Sequence, residues 1–147
     1  MHSAYRYAII YFGFFVSLLL CSALMLFAHK IGFDHQSISH YYLGDGELLI
    51  QKTNTGLLKL VLPHIFAFAI LSFVLIHFLI FTSYKEKKYP VVLIYILLLT
   101  QTIEIFSPYM IIHISEYFSY LKLGSFILYM TLIPLIFFWL FKSIIKR

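Results

Sequence analysis

Leu60-Val61-Leu62-Pro63-His64-Ile65-Phe66-Ala67-Phe68-Ala69-Ile70-Leu71-Ser72-Phe73-Val74-Leu75-Ile76-His77-Phe78-Leu79-Ile80-Phe81-Thr82 contains no Lys, Arg, Asp or Glu. At about 1.5 Å per residue, some 20 apolar residues in a helix match a hydrocarbon core about 30 Å thick. Three further long apolar runs lie at Tyr7–Ala28, Val91–Ile112 and Leu123–Phe141, the second of them interrupted by one acid. All four are rich in β-branched and aromatic residues, yet they read as helices, because in lipid the backbone must satisfy its own hydrogen bonds. The first run exceeds the 7–15 residues of a signal-peptide core and no small-x-small cleavage site follows it, so it too is expected to span.

Composition agrees. Of 147 residues, 62% are hydrophobic and 12% charged, whereas soluble chains carry about 45–50% and 25%. A water-soluble domain, a disordered chain and a disulfide scaffold are thereby excluded, the last because Cys21 is the single cysteine. The expected fold is all-α: one integral-membrane four-helix bundle over residues 1–147, with a long extracytoplasmic loop between spans one and two. The other loops are short, so spans two, three and four are expected to be sequential antiparallel neighbours.

Four spans put both termini on one side. That side holds seven basic residues: Arg6, Lys85, Lys87, Lys88, Lys142, Lys146 and Arg147. The other side holds four, Lys30, Lys52, Lys59 and Lys122, offset by Asp34, Asp45, Glu47 and Glu116. The bias predicts a multi-pass protein of the inner (cytoplasmic) membrane with both termini cytoplasmic. The net charge of +5 is then an orientation signal, and no nucleic-acid partner is expected. Tyr5, Tyr7, Tyr84, Tyr89, Tyr117, Tyr120 and Trp139 fall near the interfaces, where amphipathic rings anchor.

Within the long loop, Asp34 is a candidate helix N-cap and Gly44 a terminator, which predicts a short amphipathic helix over His35–Leu43 lying on the membrane surface. Asp45-Gly46 reads as a turn, and Thr53-Asn54-Thr55-Gly56 leads into span two.

Seven histidines carry the most suggestive pattern. His29, His35, His40, His64 and His113 gather at the outer end, while His2 and His77 belong to the cytoplasmic half. His64 and His77 are thirteen residues apart, about 20 Å along the axis but about 140° apart around it, so they address different neighbours rather than stacking two haems on one face. His113 ends span three level with His64, above a stripe of Tyr109, Phe106, Thr102 and Tyr95 expected to face the bundle interior. His29 shares a face with Met25, Ser22 and Tyr11. The simplest cofactor reading is a haem b held by His64 and His113, with His77 a further candidate. A transition-metal ion using His29, His35 and His40 is the next, since imidazole suits Cu, Zn, Ni and Fe. Hydrogen bonding at the headgroup level, with no cofactor, is the third. His77 inside the apolar zone is either functional or a neutral ring bonded to Ser17 or Tyr11.

Glu104 is the one acid within a span, expensive there unless protonated or paired. Thr100, Glu104 and Pro108 share a helix face with Gln101 adjoining, and Pro108 frees the Glu104 carbonyl. Glu104 and Gln101 are candidates for a proton acceptor or the polar wall of a quinone pocket; the structural alternative is interhelical polar glue. No nucleophile–base set, phosphate loop, His-Glu-x-x-His helix or Cys-x-x-Cys pair occurs, so an isolated chain is not expected to be an enzyme.

His40-Tyr41-Tyr42-Leu43-Gly44-Asp45-Gly46-Glu47, Lys52-Thr53, Leu57-Leu58 and the His64/His77 spacing resemble a group of small four-span bacterial membrane proteins with an H-Y-x-G-like loop and paired histidines on the second span. The likeness covers roughly residues 32–81. A second histidine two before the first of the pair is frequent in that group; here the position is Leu62. The likeness to cytochromes b is distant. What the resemblance implies is class and location, not an activity. The expected function is a haem b-binding or quinone-linked electron-transfer subunit, alone or with other membrane subunits or copies of itself. The alternative is a non-enzymatic metal-binding or structural accessory subunit.

Overall fold

The computed structural model describes residues 3–46, 50–82 and 87–145. Five helices follow one another: α1 (Ser3–Lys30), α2 (His35–Leu43), α3 (Asn54–Ile80), α4 (Lys88–His113) and α5 (Phe118–Ile145). All but α2 are long and apolar enough to cross a bilayer. Each is longer than the expected span, since α1, α4 and α5 overrun it at both ends, while α3 starts six residues early and stops at Ile80, two before the expected Thr82. Thr53 caps α3 by accepting from the Gly56 N–H at 3.1 Å. His2, Glu47, Tyr84, Lys85, Lys146 and Arg147, which entered the charge, loop and interface readings, lie outside the described residues.

α4 and α5 form the central antiparallel pair, α3 packs on α4, and α1 packs along α5. The short connection over 114–117 brings α5 straight back against α4. α2 lies across the mouth of the bundle, touching α4 and α5; this end is called the α2 end below, and the opposite one the terminal end.

The small helix forms as its sequence directs. Asp34 accepts from the Ser37 N–H at 2.8 Å and the Ser37 hydroxyl at 2.5 Å, and Gly44 ends the helix at φ 83°. Ile38 and Tyr42 are its buried face. The Ser37 bonds hold the Asp34 carboxyl below its ordinary value of 3.8. A folded pKa below the unfolded one contributes stability that is present at neutral pH, declines as pH falls through the unfolded value and is gone below the folded one. Acidification below about pH 4, or Asp34→Ala, is therefore expected to speed amide exchange across 35–43 while leaving the four long helices intact. Unchanged exchange at Ser37 and Ile38 would contradict the cap.

The interior divides in two. At the terminal end the core is largely apolar: Ile9, Leu75, Leu97, Ile133, Ile136 and Leu140 are all nearly or fully inaccessible, with the hydroxyls of Thr82 and Ser143 buried at its edge. At the α2 end Phe27, Ile38, Tyr42, Leu57, Ile111 and Phe126 form a second cluster. Between the clusters runs a band of buried polar groups.

Candidate functional site

The polar band is built on helix periodicity. On α4, Thr100, Gln101, Glu104, Ser107, Pro108 and Ile111 are buried. On α5, Ser119, Lys122, Ser125 and Tyr129 are buried at spacings of three and four, the rows that line one face of a helix. The antiparallel α4–α5 contact lays these two stripes against each other.

Glu104 is paired, and its partner is Lys122. The Lys122 ammonium donates to Glu104 Oε1, and the Ser125 hydroxyl donates to Oε2 at 2.6 Å. Both charged side chains are almost wholly buried, at 8% and 7% exposure. Lys122 thus does not belong to an outer loop, where the charge count put it. The α4–α5 connection is only 114–117, so α5 begins at Phe118 and carries Lys122 into its second turn on the face turned to α4.

Pro108 contributes through what it lacks. Without an N–H it cannot bond the Glu104 carbonyl four residues back. That oxygen accepts instead from Lys122 Nζ at 3.2 Å and Ser107 Oγ at 3.2 Å. Lysine has three ammonium protons; two of them go to Glu104. One turn below, the Ser72 hydroxyl of α3 donates to Gln101 Oε1 at 2.7 Å, and the Gln101 amide nitrogen is buried beside it.

Beside the ion pair lies a cavity of about 150 Å³. Its floor is the Phe68–Tyr129 ring pair, 4.8 Å apart. Its roof is Tyr41 and Tyr42 of α2, and Glu104, Pro108 and Lys122 form its back wall. Lys52, over the Tyr41 ring at 4.0 Å, braces the roof, and its N–H donates to the Tyr42 carbonyl at 3.0 Å. Burial pushes the Tyr42 phenol well up, with the Glu104 charge adding to it, and burial raises Tyr41 as well. Both are therefore neutral hydroxyls over the physiological range.

The histidines disperse. His64 lines the cavity; its Nδ1–H donates to the Leu60 carbonyl at 2.7 Å, which leaves Nε2 with a lone pair. His113 Nε2 donates to Asn54 Oδ1 at 3.0 Å and is exposed. Most of the stripe below it faces outward, with Tyr95 69% and Phe106 55% exposed and Thr102 exposed as well, contrary to the expectation of an interior face; Tyr109 alone of the four is half-buried, against the α2-end core. The Thr100–Glu104–Pro108 face takes the interior because Glu104 finds Lys122 and Ser125 there.

His35 stacks on Tyr120 at 4.3 Å and its Nδ1–H donates to Ser119 Oγ, whose own proton goes to the Glu116 carbonyl. His29 and His40 are exposed. Among the described residues no three His, Cys, Asp or Glu side chains come together as a metal site, so the expected His29, His35 and His40 set is not assembled. His77 is exposed, roughly parallel to the Phe73 ring and edge-on to Phe81. It is not bonded to Ser17, which caps the Gly13 carbonyl, nor to Tyr11, which is 68% exposed beside Phe15.

Glu104 and Gln101 were legible as a buried polar face; Lys122, Ser125 and Tyr129 were not. Their signal was present as a polar i, i+3, i+7 row opposite the acid, hidden because Lys122 sits just ahead of an uninterrupted apolar run.

No curated protein and no solved structure matches the chain. The model of a family described as a transmembrane helical domain matches residues 32–147, that is, α2 to α5 with their connections. The chain is a small polytopic membrane protein belonging to this family, Aq_1264_TM.

Proposed function

We propose that the chain is a non-enzymatic membrane subunit that binds a lipid-soluble, single-ring ligand of the quinone class in the cavity beside Glu104 and Lys122. The observation that carries this reading is a buried, hydrogen-bonded ion pair facing a cavity that is otherwise aromatic and aliphatic. Mostly apolar walls with a few convergent polar groups are the usual make-up of small-ligand sites.

Size supports a single ring. Cavities near 150 Å³ accommodate benzene, and the volume here is about 150 Å³, too small for a porphyrin. A haem between His64 and His113 also fits the donor set poorly, since His113 Nε2 is engaged with Asn54. Lys122 has an ammonium proton to offer one ring carbonyl, and the neutral Tyr41 and Tyr42 phenols roof the same space. Glu104 holds the ammonium in place and stands next to any proton exchanged with the ring. Under the Lys/Arg bias the site belongs to the extracytoplasmic half of the inner membrane.

A short-tailed benzoquinone added to detergent-purified protein tests this. Binding to the folded state alone stabilises by about 2.7 kcal/mol at a hundredfold excess over Kd, so melting should rise with ligand concentration. The rise should vanish in the Glu104→Leu/Lys122→Met double variant. No shift in the native sequence would overturn the reading, as would a Soret band with a sharp reduced α-band that is lost in His64→Ala and His113→Ala.

A second reading has its own support: both Glu104 carboxylate oxygens are already satisfied by Lys122 and Ser125. In that case the network serves only to hold α4 against α5 in a structural accessory subunit, and quinone leaves the melting unchanged.

A further inference from the structure

The cavity has walls on every side but one. Tyr41 and Tyr42 close it toward the α2 end, Phe68 and Tyr129 close it below, and the packed α4–α5 pair closes it behind. The lining residues left exposed, Leu26 and Lys30 of α1 and His64 of α3, put the remaining side between these two helices, and the contacts of α1 agree with this.

At the terminal end they are latched. The Tyr5 hydroxyl donates to the Phe78 carbonyl at 2.5 Å, and the Tyr5 and Phe12 rings each meet Phe78 edge-on at 5.5 Å. α5, by contrast, meets α1 at both ends: the Phe12 and Phe137 rings lie 5.7 Å apart at the terminal end, and toward the α2 end Phe27 stacks flat on Phe126 at 3.8 Å and 12°. α1 thus packs along α5 at length and touches α3 through Tyr5 and Phe12 at the terminal end, so that a gap separates α1 from α3 over the depth of the cavity. Across that gap Leu26 of α1 faces Leu60 and His64 of α3, all of them cavity walls. Leu26 is 54% exposed, in a part of the chain that sits within the hydrocarbon.

We infer that this α1–α3 seam is a lateral doorway from the bilayer into the cavity, and that the ligand is a tailed lipid whose ring sits at Lys122 while its acyl or isoprenoid tail lies in the seam. Several observations point the same way. The polar route is roofed by Tyr41 under Lys52, whereas the apolar route is lined by Leu26 and Leu60. Lys30, exposed at the last turn of α1, stands on the α2-end rim of the opening, where polar groups meet headgroups; His64, also exposed, lies one turn deeper than Leu60 on the α3 side. An apolar cleft in the hydrocarbon region that is not filled by protein is filled by lipid chains. The ligand class rests on the quinone reading above; the doorway itself is open to any chain of the bilayer.

The test needs no quinone. In a Trp139→Phe background, Phe68→Trp places a fluorophore on the cavity floor, and Phe137→Trp places one in the terminal core. The native side chains at these two positions are 9% and 6% exposed, so burial alone predicts equal shielding. Reconstituted into phosphatidylcholine brominated at mid-chain, Phe68→Trp is expected to lose most of its fluorescence, as a lipid-facing Phe66→Trp does, while Phe137→Trp keeps its own. Tyr129→Trp, which views the cavity from α5, serves as a second reporter should Phe68→Trp fail to keep the native helix content. Cavity reporters quenched no more than Phe137→Trp overturn the doorway. Cavity reporters that are quenched in a protein that binds no quinone uphold the doorway and remove only the ring-ligand reading.

Discussion

Lys122→Met is expected to cost the folded chain about 3–5 kcal/mol, the range seen when one member of a buried ion pair is removed and the other is left behind. Two acceptances are lost together: Glu104 Oε1 loses its cation, and the Glu104 carbonyl freed by Pro108 keeps only Ser107, while Ser125 goes on donating to an acid whose charge is no longer compensated. Glu104→Leu combined with Lys122→Met should return most of the loss, because well-packed apolar residues of similar volume replace a buried pair at little cost and sometimes with gain. Unfolding by a denaturing detergent in mixed micelles, followed by far-UV circular dichroism, reads both variants. If the single variant unfolds like the native chain, Lys122 is not the partner that holds Glu104. If the double variant is as weak as the single one, stability depends on packing around the side chains and not on their charges.

Gly13→Leu is the second large effect. A Cβ on Gly13 would lie 3.1 Å from Phe141 Cζ and 3.3 Å from Phe137 Cε1, so α1 approaches α5 over a residue with no side chain, the way small residues let membrane helices close up. A leucine there must displace both rings, and overpacking of this kind costs about 1–3 kcal/mol. Because α1 packs at length only on α5, that strain falls on the whole attachment of α1. Gly13→Ala should be nearly silent. Its gain in helix propensity, about 1 kcal/mol, offsets a contact with two ring edges that can yield by a few tenths of an ångström. The same detergent titration separates the three chains; a leucine variant indistinguishable from the alanine one would mean that α1 is not seated at Gly13.

The helices were legible because the bilayer simplifies the problem: an apolar run of about 20 residues has few alternatives. The small helix was legible for a different reason, since Asp34 and Gly44 mark its ends with side-chain chemistry and it emerges over His35–Leu43 as expected. What could not be read was rotation. Hydropathy does not say which face of an all-apolar helix turns inward, so the Tyr95–Tyr109 stripe was as good a candidate as the Thr100–Pro108 stripe until α5 supplied Lys122 and Ser125 to one of them. Residue counting placed the histidines at one end of the bundle but could not say that Asn54, Leu60 and Ser119 would each engage a different ring. A cluster in sequence depth became separate hydrogen bonds in space.

The division of the core has an electrical consequence. The buried charges lie above a stack of Leu75, Leu97, Ile133, Ile136 and Leu140, each at most 2% exposed, and such a stack is an insulator. Moving a full charge across a membrane held at 100 mV is worth about 2.3 kcal/mol. Glu104 and Lys122, opposite in sign and in contact, present almost no net charge to that field. The chain can therefore keep an acid and a base within the bilayer without their position tracking the membrane voltage. Any proton they exchange is expected to return to the side of the bundle it came from, so the polar band acts as a local reservoir set in an otherwise resistive wall.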